Sequence, residues 1–80
     1  DLEIGMELFG TVRNVVDFGA FIDIGVKEDG LVHISEISQK YIKHPKEVLK
    51  VGDIVKVRIL NIDYNKGRIS LSMKGISQAI

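Results

Sequence analysis

Apolar and polar side chains alternate along five short segments of this chain, and a period of two residues is typical of β-strands that bury one face. The predicted strands cover residues 7–16, 19–24, 30–35, 54–63 and 68–73. Turns rich in glycine and polar residues separate them, and Tyr64-Asn65-Lys66-Gly67 is predicted to join the last two strands as a tight hairpin. The pattern therefore predicts an all-β domain.

The longest alternation, in residues 54–63, slips by one residue near its middle. Val55, Val57 and Ile59 share the inward face, and Leu60 and Ile62 then become the inward pair. A β-bulge produces such a slip and lets a strand bend around a small barrel. We therefore predict a bulge at this point, with Leu60 and Ile62 both directed inward.

A long connection from Glu36 to Asp53 separates the third and fourth strands. It contains a predicted helical turn with Pro45 at its first position, and Val48 and Leu49 are predicted to close one end of a barrel. Five strands with this connection and no sustained helix match the five-stranded Greek-key barrel of the oligonucleotide-binding (OB) fold. An SH3-like barrel is the alternative, although it normally lacks so long a connection at this place.

The composition narrows the possible functions. The 80 residues form one predicted domain, spanning 1–80 with a core of about residues 4–74, and the start at Asp1 suggests a segment of a longer protein. The chain has no Cys, which excludes disulfides and thiolate metal sites and fits a cytoplasmic protein, and two His alone make no convincing zinc site. No apolar run approaches membrane-spanning length.

Charge is balanced overall but divided unevenly along the chain. Residues 1–36 carry eight acidic and two basic side chains, whereas residues 37–80 carry three acidic and nine basic ones, so the net charge is zero. Zero net charge argues against a broadly basic nucleic-acid surface. The uneven division predicts a polarised surface if the halves occupy different faces, and a cancelled dipole if they interleave.

Two of the three phenylalanines, Phe18 and Phe21, flank the dipeptide Gly19-Ala20. Strand alternation places Phe21 on the face opposite Ala20 and Ile22, so its ring is expected to face solvent, with Phe18 in the turn before it. Exposed aromatic rings are stacking platforms for unpaired nucleobases. This stretch therefore indicates binding of single-stranded nucleic acid.

Short motifs follow one another along the chain in a specific order. They are Ile4-Gly5-Met6, Gly10-Thr11-Val12, Phe18-Gly19-Ala20-Phe21-Ile22-Asp23, Gly30-Leu31-Val32-His33-Ile34-Ser35-Glu36, Val51-Gly52-Asp53-Ile54-Val55-Lys56-Val57, and Asp63 with Arg68-Ile69-Ser70-Leu71-Ser72. With these motifs the chain resembles the RNA-binding domain family named after ribosomal protein S1. Residues 29–35 and 44–53 are most similar to the domain near the C-terminus of Tex-type bacterial transcription accessory proteins.

The resemblance implies a set of nucleic-acid-binding residues. They are Phe18, Phe21, His33, Asp63 and Arg68; Lys66 is added because of its position at the tip of the predicted hairpin, where it is expected to contact the nucleic-acid backbone. Phe18 and Phe21 correspond to the stacking aromatics of the family, and His33 is placed beside them to stack on a base or donate to a phosphate. Arg68 is expected to contact a phosphate or base, with Asp63 orienting it or accepting from a base edge.

We therefore expect a non-catalytic module that holds single-stranded RNA, or single-stranded DNA, within a larger transcription- or RNA-associated protein. Ser35 lies near His33, but no third group orients the imidazole and no Gly-x-Ser-x-Gly motif is present, so the sequence gives no support for catalysis. No cofactor, metal or membrane is expected, and the isolated domain is expected to be a monomer. The alternative is a docking domain whose barrel face packs on a neighbouring domain, the ribosome or RNA polymerase.

Overall fold

The computed structural model describes residues 2–38 and 41–76, and it confirms a closed all-β barrel. The strands are β1 (Glu7–Val16), β2 (Gly19–Asp23), β3 (Gly30–His33), β4 (Ile54–Asp63) and β5 (Arg68–Ser72). They close in the order β1-β2-β3-β5-β4, with β3 and β5 parallel and the other neighbours antiparallel. This is the five-stranded Greek-key barrel expected from the sequence.

Aliphatic side chains from every strand fill the barrel because the alternation directs every second residue inward. The core residues are Val12, Val15, Ala20, Ile22, Ile24, Val32, Ile37, Ile42, Leu49, Val55, Val57, Ile59, Ile69 and Leu71. Full burial of each such side chain contributes about 1.5–3 kcal/mol relative to exposure, so this β-branched core is the main source of stability.

The third strand is shorter than predicted because its last residue starts a turn. The backbone enters a 3-10 turn at Ile34–Glu36, and Ser35 N donates to His33 Nδ1 at 3.2 Å. The prediction that the strand continues to Ser35 is therefore wrong by two residues. Likewise β2 ends one residue early, at Asp23, whose carboxylate accepts from Gly25 N at 2.9 Å.

Two bulges bend the barrel, and only one of them was visible in the sequence. The register of β4 against β5 shifts between Ile59 and Asn61, which confirms the predicted bulge. The inward direction predicted for Leu60 is wrong: the bulge leaves it unpaired and 41% exposed, whereas Ile62 is half-buried. In β1 the register also shifts, so that Arg13 is the extra residue.

The connection before β4 runs along the second half of β1. Val12 N donates to Asp53 O and Gly52 N donates to Val12 O, both at 2.8 Å. A 3-10 turn at Pro45–Glu47 begins with proline, as predicted, and Leu49 is buried. The prediction that Val48 also closes the barrel is wrong, since it is 51% exposed; one tight turn directs only one of two adjacent side chains inward.

Candidate nucleic-acid interface

The predicted stacking residues lie on the outer surface of β2 and β3 and in the turn before β2. Phe21 lies between the fully buried Ala20 and Ile22, so its side chain is on the outer face, where it is half-buried. Across the sheet Phe21 pairs with Leu31, and Leu31 in turn aligns with Ser70 of β5. The predicted orientation of Phe21 therefore holds, and Leu31 and Ser70 join the face by the same alternation.

Phe18 and Phe21 form one aromatic pair. Phe18 lies in the turn between β1 and β2 and is 51% exposed. Its ring centroid lies 6.3 Å from that of Phe21, and the two ring planes are at 88°. Such edge-to-face pairs are attractive by about 0.5–1.5 kcal/mol, so the rings support each other. A flat group that stacks on one ring meets the edge of the other.

Backbone contacts fix the turn that carries this pair. The Phe18 carbonyl accepts a hydrogen bond from Ile34 N at 2.8 Å, which ties the β1–β2 turn to the end of β3. Gly19 is buried and pairs with His33, and a Cβ at this position would overlap the carbonyl of Val32. The close approach of β2 and β3 therefore sets the positions of both phenylalanines.

His33 lies at the end of the same face, and its side chain is exposed. Its Nδ1 accepts from Ser35 N at 3.2 Å and lies 2.9 Å from Ser35 Oγ. Because Nδ1 accepts from a backbone N–H, the neutral ring carries its proton on Nε2. The structure thus leaves Nε2–H as the donor available to a base or phosphate oxygen near the aromatic pair.

Asp63, Lys66 and Arg68 lie around the β4–β5 hairpin, at a different part of the surface. Asp63 and Arg68 pair across the hairpin, but the Asp63 carboxylate accepts from Lys66 N at 3.1 Å and so stabilises the turn. Among residues 2–38 and 41–76, no carboxylate lies within 4 Å of the Arg68 guanidinium or the Lys66 ammonium. Both cations are therefore available to an anion. No ion pair joins the described Asp63 and Arg68, and the alternative role of Asp63, acceptance from a base edge, stays a prediction.

The register separates the hairpin cations from the aromatic pair. Arg68 precedes Ser70 by two residues on β5, two strands away from Phe21. Strand spacing and rise place the two Cα atoms roughly 12 Å apart. The six predicted residues therefore occupy two ends of one face: Phe18, Phe21 and His33 at one end, and the hairpin residues at the other.

An open cavity of about 780 Å³ lies beside the hairpin, not beside the aromatic pair. Arg68 and Asp63 line it together with apolar side chains such as Met6, Val26 and Ile69. Stacking requires an exposed flat ring and not a cavity, so the position of this cavity does not count against the aromatic pair. It shows that the hairpin end of the face is concave and carries one unpaired guanidinium.

The strands of the acidic half, β1, β2 and β3, are contiguous, and so are those of the basic half, β5 and β4, but the connection before β4, which belongs to the basic half, packs against β1. On the wall formed by β1 and β4, Glu7 pairs with Arg58 at 2.9 Å and with Lys56 at 3.6 Å. The hydrogen bond from Arg58, assisted by the charges of Arg58 and Lys56, lowers the pKa of the Glu7 carboxyl below its ordinary value of 4.5. The exposed ring of Phe9 lies on this β1–β4 wall, with Lys56 Nζ 5.8 Å from its centroid.

The described part of the chain contains neither a metal-binding cluster nor a membrane-spanning helix. Within residues 2–38 and 41–76, no group of three or more His, Asp or Glu side chains is arranged to hold a metal ion. The same residues include no helix with the length and apolarity needed to span a bilayer. The aromatic pair at one end of the face and the unpaired hairpin cations at the other are the features of the described residues that point to a ligand.

Comparison with known proteins identifies the family. The model of the S1 RNA binding domain matches residues 1–74, so the chain belongs to this family. It is 67% identical to YdcI of Bacillus subtilis over 91% of this chain, and 55% identical to the transcriptional accessory protein Tex of Neisseria gonorrhoeae over 92%. In both cases the match covers 10% of the relative, so the chain spans about a tenth of the length of these curated relatives.

A solved structure supports the fold assignment. The crystal structure of the a/eIF2alpha–aDim2p–rRNA complex from Pyrococcus horikoshii OT3 contains a chain that matches at a TM-score of 0.88 and 26% sequence identity. The match covers 96% of this chain and 47% of that one. Together with the family match, it confirms the S1-type barrel, and the 55% identity to Tex confirms the resemblance to Tex-type proteins that the sequence motifs indicated.

Proposed function

We propose that this domain holds single-stranded RNA by stacking unpaired bases on Phe18 and Phe21. The observation that carries the proposal is the perpendicular ring pair on the outer surface of the barrel, in which Phe18 is exposed and Phe21 is half-buried. Nε2–H of His33 donates to a base or phosphate beside the pair. At the far end of the face, Arg68 and Lys66 contact backbone phosphates, and Asp63 shapes the hairpin that carries them. Membership of an RNA-binding family supports this assignment.

The proposed binding is weak and shows little base preference. Stacking contributes about 1–3 kcal/mol per base, so two or three stacked groups give roughly 2–9 kcal/mol before ordering costs. The isolated domain is therefore expected to bind with a Kd on the order of micromolar or weaker. Because every base has a π-face, single-stranded DNA is expected to bind as well. The domain's role is to hold a strand for a longer protein, without a catalytic step of its own.

Fluorescence anisotropy with a labelled RNA of about twelve nucleotides tests the proposal, since OB-type barrels bind about 4–16 nucleotides. Phe18→Leu and Phe21→Leu remove a flat ring while keeping an apolar side chain. We expect each to weaken binding by roughly 5- to 150-fold, the equivalent of one lost stack.

Phe9→Leu is the matched control. Phe9 is 54% exposed, close to the 51% of Phe18, but it lies on the β1–β4 wall. The control is expected to bind as the wild type does, and circular dichroism checks that all three variants are folded. Wild-type affinity in both Phe18→Leu and Phe21→Leu would sink the stacking proposal, whatever the affinity of Phe9→Leu.

Docking on a neighbouring domain is the second candidate function. One observation favours it: the chain covers only about a tenth of its curated relatives, which leaves many neighbouring residues that could pack on the exposed aromatic face. Mapping of amide chemical shifts separates the two functions. Shifts around Phe21, His33 and Arg68 on addition of RNA support strand binding, whereas shifts there with a neighbouring domain and none with RNA support docking.

A further inference from the structure

The aromatic face continues across β1 onto the connection that precedes β4. We infer that a strand bound at Phe18 and Phe21 passes over Asn14, and that Lys46 and Lys50 contact its phosphates. This inference rests on the function proposed above and adds to the aromatic pair and the hairpin cations a further, purely electrostatic part of the binding site, on the opposite side of the pair from the hairpin. The ligand class is a phosphodiester backbone, recognised without reference to base.

The topology makes this surface continuous. Asn14 pairs with Phe21 across β1 and β2, and its side chain is exposed. On the other edge of β1, β4 pairs only as far as Thr11, and the connection takes its place beyond that point through the Val12 hydrogen bonds to Gly52 and Asp53. The second half of β1 is therefore flanked by Phe21 on one side and by the connection on the other.

Both lysines lie at the edge of this surface. Lys46 and Lys50 line one cleft of about 440 Å³ together with Asn14 and Val15. The lysines lie on one side of β1 and Phe21 of β2 lies on the other. Because neighbouring strands are just under 5 Å apart, the cleft is roughly 10 Å from Phe21. A strand that stacks on the aromatic pair and lies across Asn14 brings its next phosphates to these ammonium groups.

The connection holds the two lysines in place. Pro45 and Leu49 are buried on either side of Lys46, and Leu49 N donates to Pro45 O at 3.0 Å, which closes one turn. The Asp53 carboxylate accepts from Lys50 N at 3.0 Å. Because the backbone is anchored at these points, ordering of the connection costs little further entropy when an anion binds.

The charges around the lysines favour an anion. Among residues 2–38 and 41–76, no carboxylate lies within 4 Å of the ammonium group of Lys46 or Lys50, and both side chains are exposed. Asp17 and Glu47 line the neighbouring cleft with Lys46, so the cationic area is small and suits one or two phosphates.

The test compares two double variants with the same change in net charge. Lys46→Ala/Lys50→Ala removes the inferred phosphate contacts. Lys56→Gln/Arg58→Gln removes two cations from the β1–β4 wall, where they pair with Glu7. Each is titrated by anisotropy with single-stranded RNA of about twelve and about four nucleotides, between about 50 and 200 mM KCl.

We expect the Lys46/Lys50 variant to bind the longer RNA about ten- to thirtyfold more weakly at 0.1 M salt. Its slope of log K against log[salt] is expected to be shallower by about 1.4, the value for two phosphates on a single strand. The control variant is expected to match the wild type on both RNAs. The shorter RNA, which cannot cover both parts of the site, is expected to bind all three proteins alike.

The outcomes separate this inference from the proposed function. If Phe21→Leu weakens binding but the Lys46/Lys50 variant keeps the wild-type affinity and salt slope, the inference is overturned and the stacking site stands. An equal loss in the control variant also overturns it, because the effect is then one of net charge. If wild-type protein binds RNA and neither the aromatic nor the lysine variants weaken it, both proposals fail.

Discussion

Gly19 shows how a single residue sets the geometry of the aromatic face. It pairs with His33, and the carbonyl of Val32 occupies the space that a Cβ at this position would need. A glycine here lets β2 and β3 approach closely, and it leaves no side chain between the phenylalanine end of the face and the His33 ring. Gly19 is thus required for the packing of two strands, and it also lies within the proposed binding site.

We predict that Gly19→Ala lowers the free energy of unfolding by about 1–3 kcal/mol, because the added methyl group forces the two strands apart. Urea denaturation followed by circular dichroism measures the change. Ser70→Ala, at an exposed position on β5, is the control and is expected to change stability by no more than about 0.5 kcal/mol. Equal stability of Gly19→Ala and the wild type would mean that the strands separate at this point without cost.

Sequence alternation predicted the residue-scale features of strands better than those of turns. The side of Phe21 was predictable because strand parity is fixed once the inward positions Ala20 and Ile22 are recognised. Phe18 lies in a turn and has no such parity, so neither its exposure nor its perpendicular packing on Phe21 followed from the sequence. The same holds for the nitrogen of His33 that remains free, since it depends on a local contact with Ser35.

At the scale of elements, the bounds of β1 and β4 were predicted at both ends, because each carries a long alternation that ends at polar or turn residues. The prediction failed where local geometry overrides alternation. At Leu60 the bulge adds a residue without an inward side, and at Val48 a tight turn exposes one of two neighbouring apolar residues. The sequence also could not predict that Lys46 and Lys50 lie close to Asn14, because this contact depends on the connection taking the place of β4 beside β1.

The β1–β4 seam gives an element-scale prediction about pH. Glu7 accepts from Arg58 at 2.9 Å, and its pKa in the folded protein lies below the ordinary value of 4.5. A carboxylate with a lowered folded-state pKa contributes stability that is fully present above its unfolded pKa and is lost as pH falls through the folded one. We therefore predict that Glu7→Gln lowers Tm at pH 7, and that this difference disappears as the pH is lowered to about 2.

Thermal denaturation of the variant and wild type across that pH range measures the effect. Glu3→Gln removes the same charge from a carboxylate that has no cation within 4 Å in the described parts of the chain. This control is expected to change Tm little at either end of the range. A Tm difference for Glu7→Gln that stays constant down to pH 2 would show that the ion pair does not contribute to folding.

At the scale of the whole molecule, the balanced charge and small size of the domain limit the kinds of nucleic acid that the proposed site binds. The net charge is zero, and cations of the basic half, such as Lys46 and Lys50, lie beside β1 of the acidic half. Long-range attraction to a polyanion is therefore weak, and binding depends on local contacts. The helical elements of the described residues are two 3-10 turns of three residues each, too short to enter a groove of duplex nucleic acid.

We therefore predict selectivity for single strands over duplexes. Bases in an A-form duplex are stacked on one another, and its deep, narrow major groove does not admit side chains, so the aromatic pair has no base to receive. Loss of two stacked bases weakens binding by at least about thirtyfold. Competition against a labelled single strand measures this, with an unlabelled duplex of the same length as competitor and single-stranded DNA as control. The single-stranded DNA is expected to compete within a few-fold of RNA, because stacking does not distinguish strands by the 2′-hydroxyl. A duplex that competes as well as the single strand would show that the barrel binds phosphates alone.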